Sequence, residues 1–174
     1  MQNSAPMRRR KLLQLGIGAS VLLALAGGGA VLLRPGLAAG KLTPQGRRLF
    51  EAVARAVLDG SLPPDEVERA RVLEAHLVRL DQTIAGFPPH LQDELSMVVS
   101  LLTQTPGRVA LAGLHPDWAE ADISEVKSAL QGMRLSSIAA RQQVYLALRE
   151  LTNAAYYADS TTWRLLGYPG PNPV

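Results

Sequence analysis

The sequence predicts an all-α protein, a compact helical bundle of about five to six helices preceded by an N-terminal signal or anchor helix. Three observations carry that prediction. Between Thr43 and Ala155 apolar residues recur by threes and fours, the period of helix faces buried against neighbours. No segment of this domain alternates polar and apolar residues as a half-buried strand does. At the other end, the cations Arg8-Arg9-Arg10-Lys11 lead straight into an uncharged run that lasts as far as Leu33, the layout of an export leader.

The leader comes first in the chain. With Arg9 and Arg10 taken as the pair, Lys11 occupies a free position and Leu12-Leu13 supply the apolar pair that follows, so the stretch resembles a twin-arginine signal. Arg8 stands where Ser or Thr is usual, and Gln14 where Lys is common. Gly16, Gly18 and Gly27-Gly28-Gly29 keep the run only moderately hydrophobic, in keeping with that export route. Residues 12–33 would form a helix about 33 Å long. A hydrocarbon core is about 30 Å thick, so the same segment would serve as a membrane anchor if it stayed uncleaved. Two cleavage candidates occur: Ala24-Leu25-Ala26 fits the small-x-small rule but leaves a short apolar run, and Leu37-Ala38-Ala39 begins on a bulky residue. Residues 1–40 are accordingly assigned to the leader and a linker, and residues 41–174 to the domain.

Removing the leader reverses the apparent charge. Five of the 18 Lys and Arg lie in it and none of the 15 Asp and Glu do, so the remainder carries 13 basic against 15 acidic groups, a net of −2. A nucleic-acid partner is not expected, because phosphate binding needs concentrated positive surface. The chain has no cysteine. Disulfides, thiolate metal sites, iron–sulfur clusters and covalent haem attachment are thereby excluded, and the domain must rest on packing.

Thr43-Pro44 reads as an N-cap with proline at the first helical position. Leu49, Phe50, Val53, Val57 and Leu58 then share one face, with Arg48, Glu51 and Arg55 opposite. Asp59-Gly60 ends this helix and Pro63-Pro64-Asp65 opens the next, whose seam is Ala70, Leu73, Leu77, Leu80, Ile84 and Phe87. A third helix is expected from about His90 to Leu102, with Leu91, Leu95, Val98 and Leu102 inward, broken by Thr105-Pro106-Gly107. A short apolar segment, Val109 to Leu114, leads to a turn at His115-Pro116-Asp117 beside Trp118. Asp122 and Glu125 form a near capping box for a helix with Ile123, Val126, Leu130 and Met133 on one side. Ser136 or Ser137 starts what should be the longest helix, through Val144, Tyr145, Leu148, Leu151 and Ala155.

The ending has a different composition. Tyr156, Tyr157, Trp163 and Tyr168 are gathered beside Pro169-Gly170-Pro171 in a chain otherwise poor in aromatics. Ser160 or Thr161 can cap a single turn that Gly167 terminates. These aromatics either close the bundle, since each buries a large area, or form a stiff interface patch of the kind that anchors partners.

Catalytic signatures are missing. His76, His90 and His115 have no metal-ligand spacing, and His76, beside the seam residue Leu77, reads as a satisfied edge histidine. The leader glycines follow no strand and so do not form a dinucleotide loop. No nucleophile elbow or phosphate loop occurs. Asp93-Glu94 and Glu66-x-Glu68 read as solvated helix faces, and Ser160-Thr161-Thr162 as a cap. No catalytic, cofactor-binding or metal-binding residue is therefore assigned. A domain without an evident cofactor site, behind a leader for folded cargo, is economically explained if it exports a bound partner that has the cofactor and lacks a signal.

From Leu42 to Pro171 the chain resembles the gluconate 2-dehydrogenase subunit 3 family. The residues that carry the resemblance are Leu42-Thr43-Pro44, the break Asp59-Gly60-Ser61-Leu62-Pro63, the Trp118 region and, most specifically, Tyr156-Tyr157, Trp163 and Gly167-Tyr168-Pro169-Gly170-Pro171. The resemblance implies a non-catalytic small subunit that escorts a large one through the twin-arginine translocase to the periplasm. The large subunit would be a flavoprotein dehydrogenase of the glucose–methanol–choline type holding FAD, often with a cytochrome c subunit. On that reading the export signal is Arg9, Arg10, Leu12 and Leu13, and Tyr156, Tyr157, Trp163 and Tyr168 are the candidate partner interface. The alternative is a free-standing exported enzyme or ligand-binding bundle with an unrecognised noncovalent cofactor.

Overall fold

The computed structural model describes residues 34–167. The leader, with Arg9, Arg10, Leu12 and Leu13, lies outside the described residues, as does Tyr168. Within them the chain forms a two-stranded hairpin, β1 (Leu37–Ala38) and β2 (Lys41–Leu42), and then six α-helices. These are α1 (Pro44–Val57), α2 (Glu66–Ala85), α3 (Pro89–Thr103), α4 (Thr105–Ala112), α5 (Ile123–Arg134) and α6 (Ala139–Tyr157), followed by a 3₁₀ helix, η1 (Ser160–Leu166). The domain is the all-α bundle that the sequence predicts. No helix among the described residues is long and apolar enough to cross a membrane.

Helix α1 is the axis of the bundle: α2, α3, α5 and α6 all pack against it. Its Leu49, Phe50, Val53 and Ala54 are completely buried. The starts of three helices follow from local chemistry. Thr43 accepts from the amide of Gly46 at 3.3 Å, with Pro44 in the first turn. Asp65 accepts from the amide of Glu68 at 2.8 Å. Asp122 accepts from the amide of Glu125 at 2.9 Å, while the Asp122 amide donates to the Glu125 carboxylate at 3.0 Å, a complete capping box.

Several expectations are corrected. The end of the stretch assigned to leader and linker, residues 37–40, belongs to the hairpin. Its turn places both Ala39 (φ 50°) and Gly40 (φ 73°) in the left-handed region, which two-residue hairpin turns of this hand require. Thr105-Pro106-Gly107 ends α3 but also opens α4, because a proline that cannot extend one helix fits the first turn of another. Ala70 and Ile123 are exposed rather than inward. Ser136 does not cap α6 directly; its Oγ accepts from the Ile138 amide at 3.1 Å and shapes the preceding turn. The longest helix is α2 with 20 residues, against 19 in α6.

The segment before β1 is already part of the domain. Gly36 donates to the Ser96 carbonyl on α3 at 3.2 Å and accepts from the Thr43 amide at 3.1 Å. A side chain on Gly36 would stand 2.5 Å from both Ser96 O and Val99 Cβ, so glycine is required by close approach. Leu37 is buried and its amide donates to Ser96 Oγ at 3.1 Å. Ser100 Oγ donates to the Arg34 carbonyl at 2.6 Å. On the other side of the hairpin, the Leu42 amide donates to Asp81 at 2.9 Å, and Asp81 also receives Arg47 at 2.7 Å.

Candidate functional site

The aromatic end of the chain is built on the last turns of α6. Tyr156 is only 2% exposed and joins Ala54, Leu58 and Leu73 in a small satellite core. Its hydroxyl donates to the Ser61 carbonyl at 2.7 Å. Its ring meets Tyr157 edge-on at 5.1 Å and His76 edge-on at 6.3 Å. Tyr156 therefore offers no surface to a partner. Tyr157 and Trp163 are half-buried, and the Trp163 indole donates to the Tyr157 carbonyl at 2.8 Å. The structure thus brings Tyr156, Tyr157 and Trp163 together.

Asp159 sets the geometry beyond Tyr157. Its carboxylate accepts from the Thr161 amide at 2.9 Å and the Thr161 hydroxyl at 2.7 Å, capping η1. It also faces Arg79 of α2 at 3.2 Å, whose Nε donates to the Ala155 carbonyl at 2.9 Å. The Thr161 hydrogen bonds and then the Arg79 charge hold this carboxyl below its ordinary range. The sequence placed the cap at Ser160 or Thr161; the residue that caps is Asp159.

Two grooves share the turn Gly60–Pro64 as a wall. One, of about 520 Å³, runs between that turn, α2 and the end of α6, past Arg71, Arg79, Tyr156 and Thr162. The other, of about 680 Å³, lies between α1, the same turn and the start of α5, and is edged by Arg48, Arg55, Arg69 and Asp122. Asp59 at its rim pairs with Lys127 at 2.5 Å, and that hydrogen bond is the main reason its carboxyl is held below the usual range. Trp118, at the floor, donates its indole N–H to the Leu102 carbonyl at 2.7 Å, satisfying an acceptor in the last turn of α3.

His76 departs from its sequence reading. It is fully buried, and neither ring nitrogen has a hydrogen-bond partner. Burial, and secondarily the charge of Arg79, pull its pKa down to about 4, so the ring is neutral at ordinary pH. The signal was present: position 76 lies three residues after Leu73 and four before Leu80, on the buried stripe itself rather than at its edge. Thr152, also buried, leaves its hydroxyl unpartnered.

Arg108 is a buried side chain that does carry a charge. It donates to the carbonyls of Leu114 at 3.3 Å and His115 at 3.1 Å and pairs with Asp117 at 3.3 Å, fixing the turn before Trp118. Among the described residues no group of three or more His, Asp or Glu could hold a metal ion. Two arginine-edged grooves thus share one proline-stiffened turn, to which Tyr156 is tied through the Ser61 carbonyl. The chain matches no protein-family model, no curated protein and no solved structure.

Proposed function

We propose that this chain is the non-catalytic small subunit of an exported, flavin-dependent sugar or alcohol dehydrogenase. It folds against a larger flavoprotein of the glucose–methanol–choline type, carries it through the twin-arginine translocase and holds it at the periplasmic face. FAD belongs to the large subunit, and a cytochrome c subunit completes such assemblies. The reading is supported above all by one combination: the leader Arg9-Arg10-Lys11-Leu12-Leu13 and the ending Tyr156-Tyr157, Trp163 and Gly167 to Pro171 in a single chain. Tyr157 and Trp163, half-buried at the end of α6, are the residues proposed to meet the partner.

The test is Arg9→Lys together with Arg10→Lys in cells that also express the partner flavoprotein. Both proteins, and the dehydrogenase activity, should disappear from the periplasmic fraction. Unchanged external activity would overturn the escort role.

The 680 Å³ groove favours a second reading, a bundle that binds a small ligand. A stoichiometric small molecule released on denaturing the purified full chain would establish it.

A further inference from the structure

The residues directly after the apolar run are already part of the folded domain, and this bears on how the expected leader is processed. The later cleavage candidate, Leu37-Ala38-Ala39, is not a free linker. Leu37 and Ala38 are β1, paired in antiparallel register with Leu42 and Lys41. The Leu37 side chain belongs to the main core. Gly36 and Leu37 are hydrogen-bonded to Ser96, and Arg34 to Ser100, so four of the five residues from Arg34 to Ala38 are fastened to α3 or to β2. Ala39 itself sits at the hairpin turn with φ 50°. A peptidase must take the residues flanking its bond as an extended strand in its own cleft. Here that strand is already used, and its release requires local opening of the domain.

Resting on the export reading above, we propose that the leader is not removed at Ala39, so that Arg34 to Ala39 stay on the exported protein as part of its folded domain. Arg34 is both the first cation after the apolar run and the first described residue fastened to α3. A chain that folds before export presents this hairpin to the peptidase already closed, whereas a chain threaded unfolded would present it open.

The experiment uses the full chain with its own leader in a host that has the twin-arginine route. Spheroplasts are treated with external protease in parallel, and the untreated protein is purified and analysed by N-terminal sequencing and intact mass. The expected product begins ahead of Arg34. An exported chain that begins at Gly40 overturns the proposal alone. A chain protected from protease on the inner side overturns export and the proposal with it. Ser96→Ala with Ser100→Ala loosens the hairpin without altering the cleavage triplet, and a measurable fraction should then begin at Gly40. If that variant stays whole, the hairpin is not the shield.

Discussion

The hydroxyl of Tyr156 donates to the carbonyl of Ser61 at 2.7 Å, tying the last turn of α6 to the turn between α1 and α2. Tyr156→Phe keeps the ring and deletes this bond. It leaves the Ser61 carbonyl short of a partner, so a loss of about 1 to 1.5 kcal/mol is expected. Thermal unfolding should show it as a fall in Tm of about 3 to 6 °C. Tyr156→Ala also empties the satellite core and should cost about 3 to 5 kcal/mol.

The two carboxylates that meet Arg47 should differ sharply. Asp81 is 13% exposed in its side chain and accepts from both Arg47 and the Leu42 amide, whereas Glu74 is 65% exposed and accepts from Arg47 alone. Asp81→Ala should cost about 2 kcal/mol, because a half-buried amide and a guanidinium lose their acceptor together. Glu74→Ala should stay within about 0.5 kcal/mol, as expected of an exposed pair. Urea unfolding of the two variants makes the comparison directly. Equal losses would show that Asp81 does not anchor the hairpin.

His76 makes stability depend on pH in one direction. The unfolded ring takes a proton near pH 6.5, while the buried ring takes one only near pH 4. Between those values the unfolded chain binds more protons, so acid favours unfolding. Stability is complete above about pH 6.5, falls as the pH drops toward 4, and loses at most about 3 kcal/mol to this residue. His76→Phe should flatten that part of the profile while preserving the fold at pH 8. Denaturation midpoints at pH 8, 6 and 5 measure it. Parallel profiles for the two proteins would remove His76 as the cause.

Trp163 separates packing from partnership. Trp163→Ala trims a half-buried ring and its bond to the Tyr157 carbonyl, which should cost about 1 to 2 kcal/mol, less than a fully buried aromatic. If Trp163 anchors the flavoprotein, the same change weakens the complex by about 30-fold or more. Co-purification compared with Tm distinguishes the two effects. Unaltered affinity would assign this residue to the bundle alone.

Much of the fold could be read from the sequence because its signals are short-range. Thr43-Pro44, Asp65 and the Asp122–Glu125 box start helices through bonds made within a few residues. The stripe from Leu73 to Ile84 is written in its own spacing. What escaped depends on contacts distant in sequence. The hairpin at Leu37 to Leu42 exists because α3 supplies Ser96 and Asp81 receives the Leu42 amide, and two-residue strands are too short to alternate. The burial of His76 requires Tyr156, far along the chain, to close over it. The same holds for the candidate interface. The aromatic cluster was visible as composition, but that Tyr156 is buried while Tyr157 and Trp163 are only half-buried is decided by which side of α6 faces α1 and α2.

The position of α1 at the axis has a consequence for biosynthesis. Its apolar stripe is covered by helices drawn from both halves of the chain, and the last of them, α6, ends only at Tyr157. A nascent chain that has emitted α1 to α5 still has Leu49, Phe50 and Val53 incompletely covered, and a fragment stopped there would remain sticky. On the proposed export route, which admits only folded cargo, such a layout would make completion of the C-terminal helix a condition of passage. The expected leader would then be made first but become usable last.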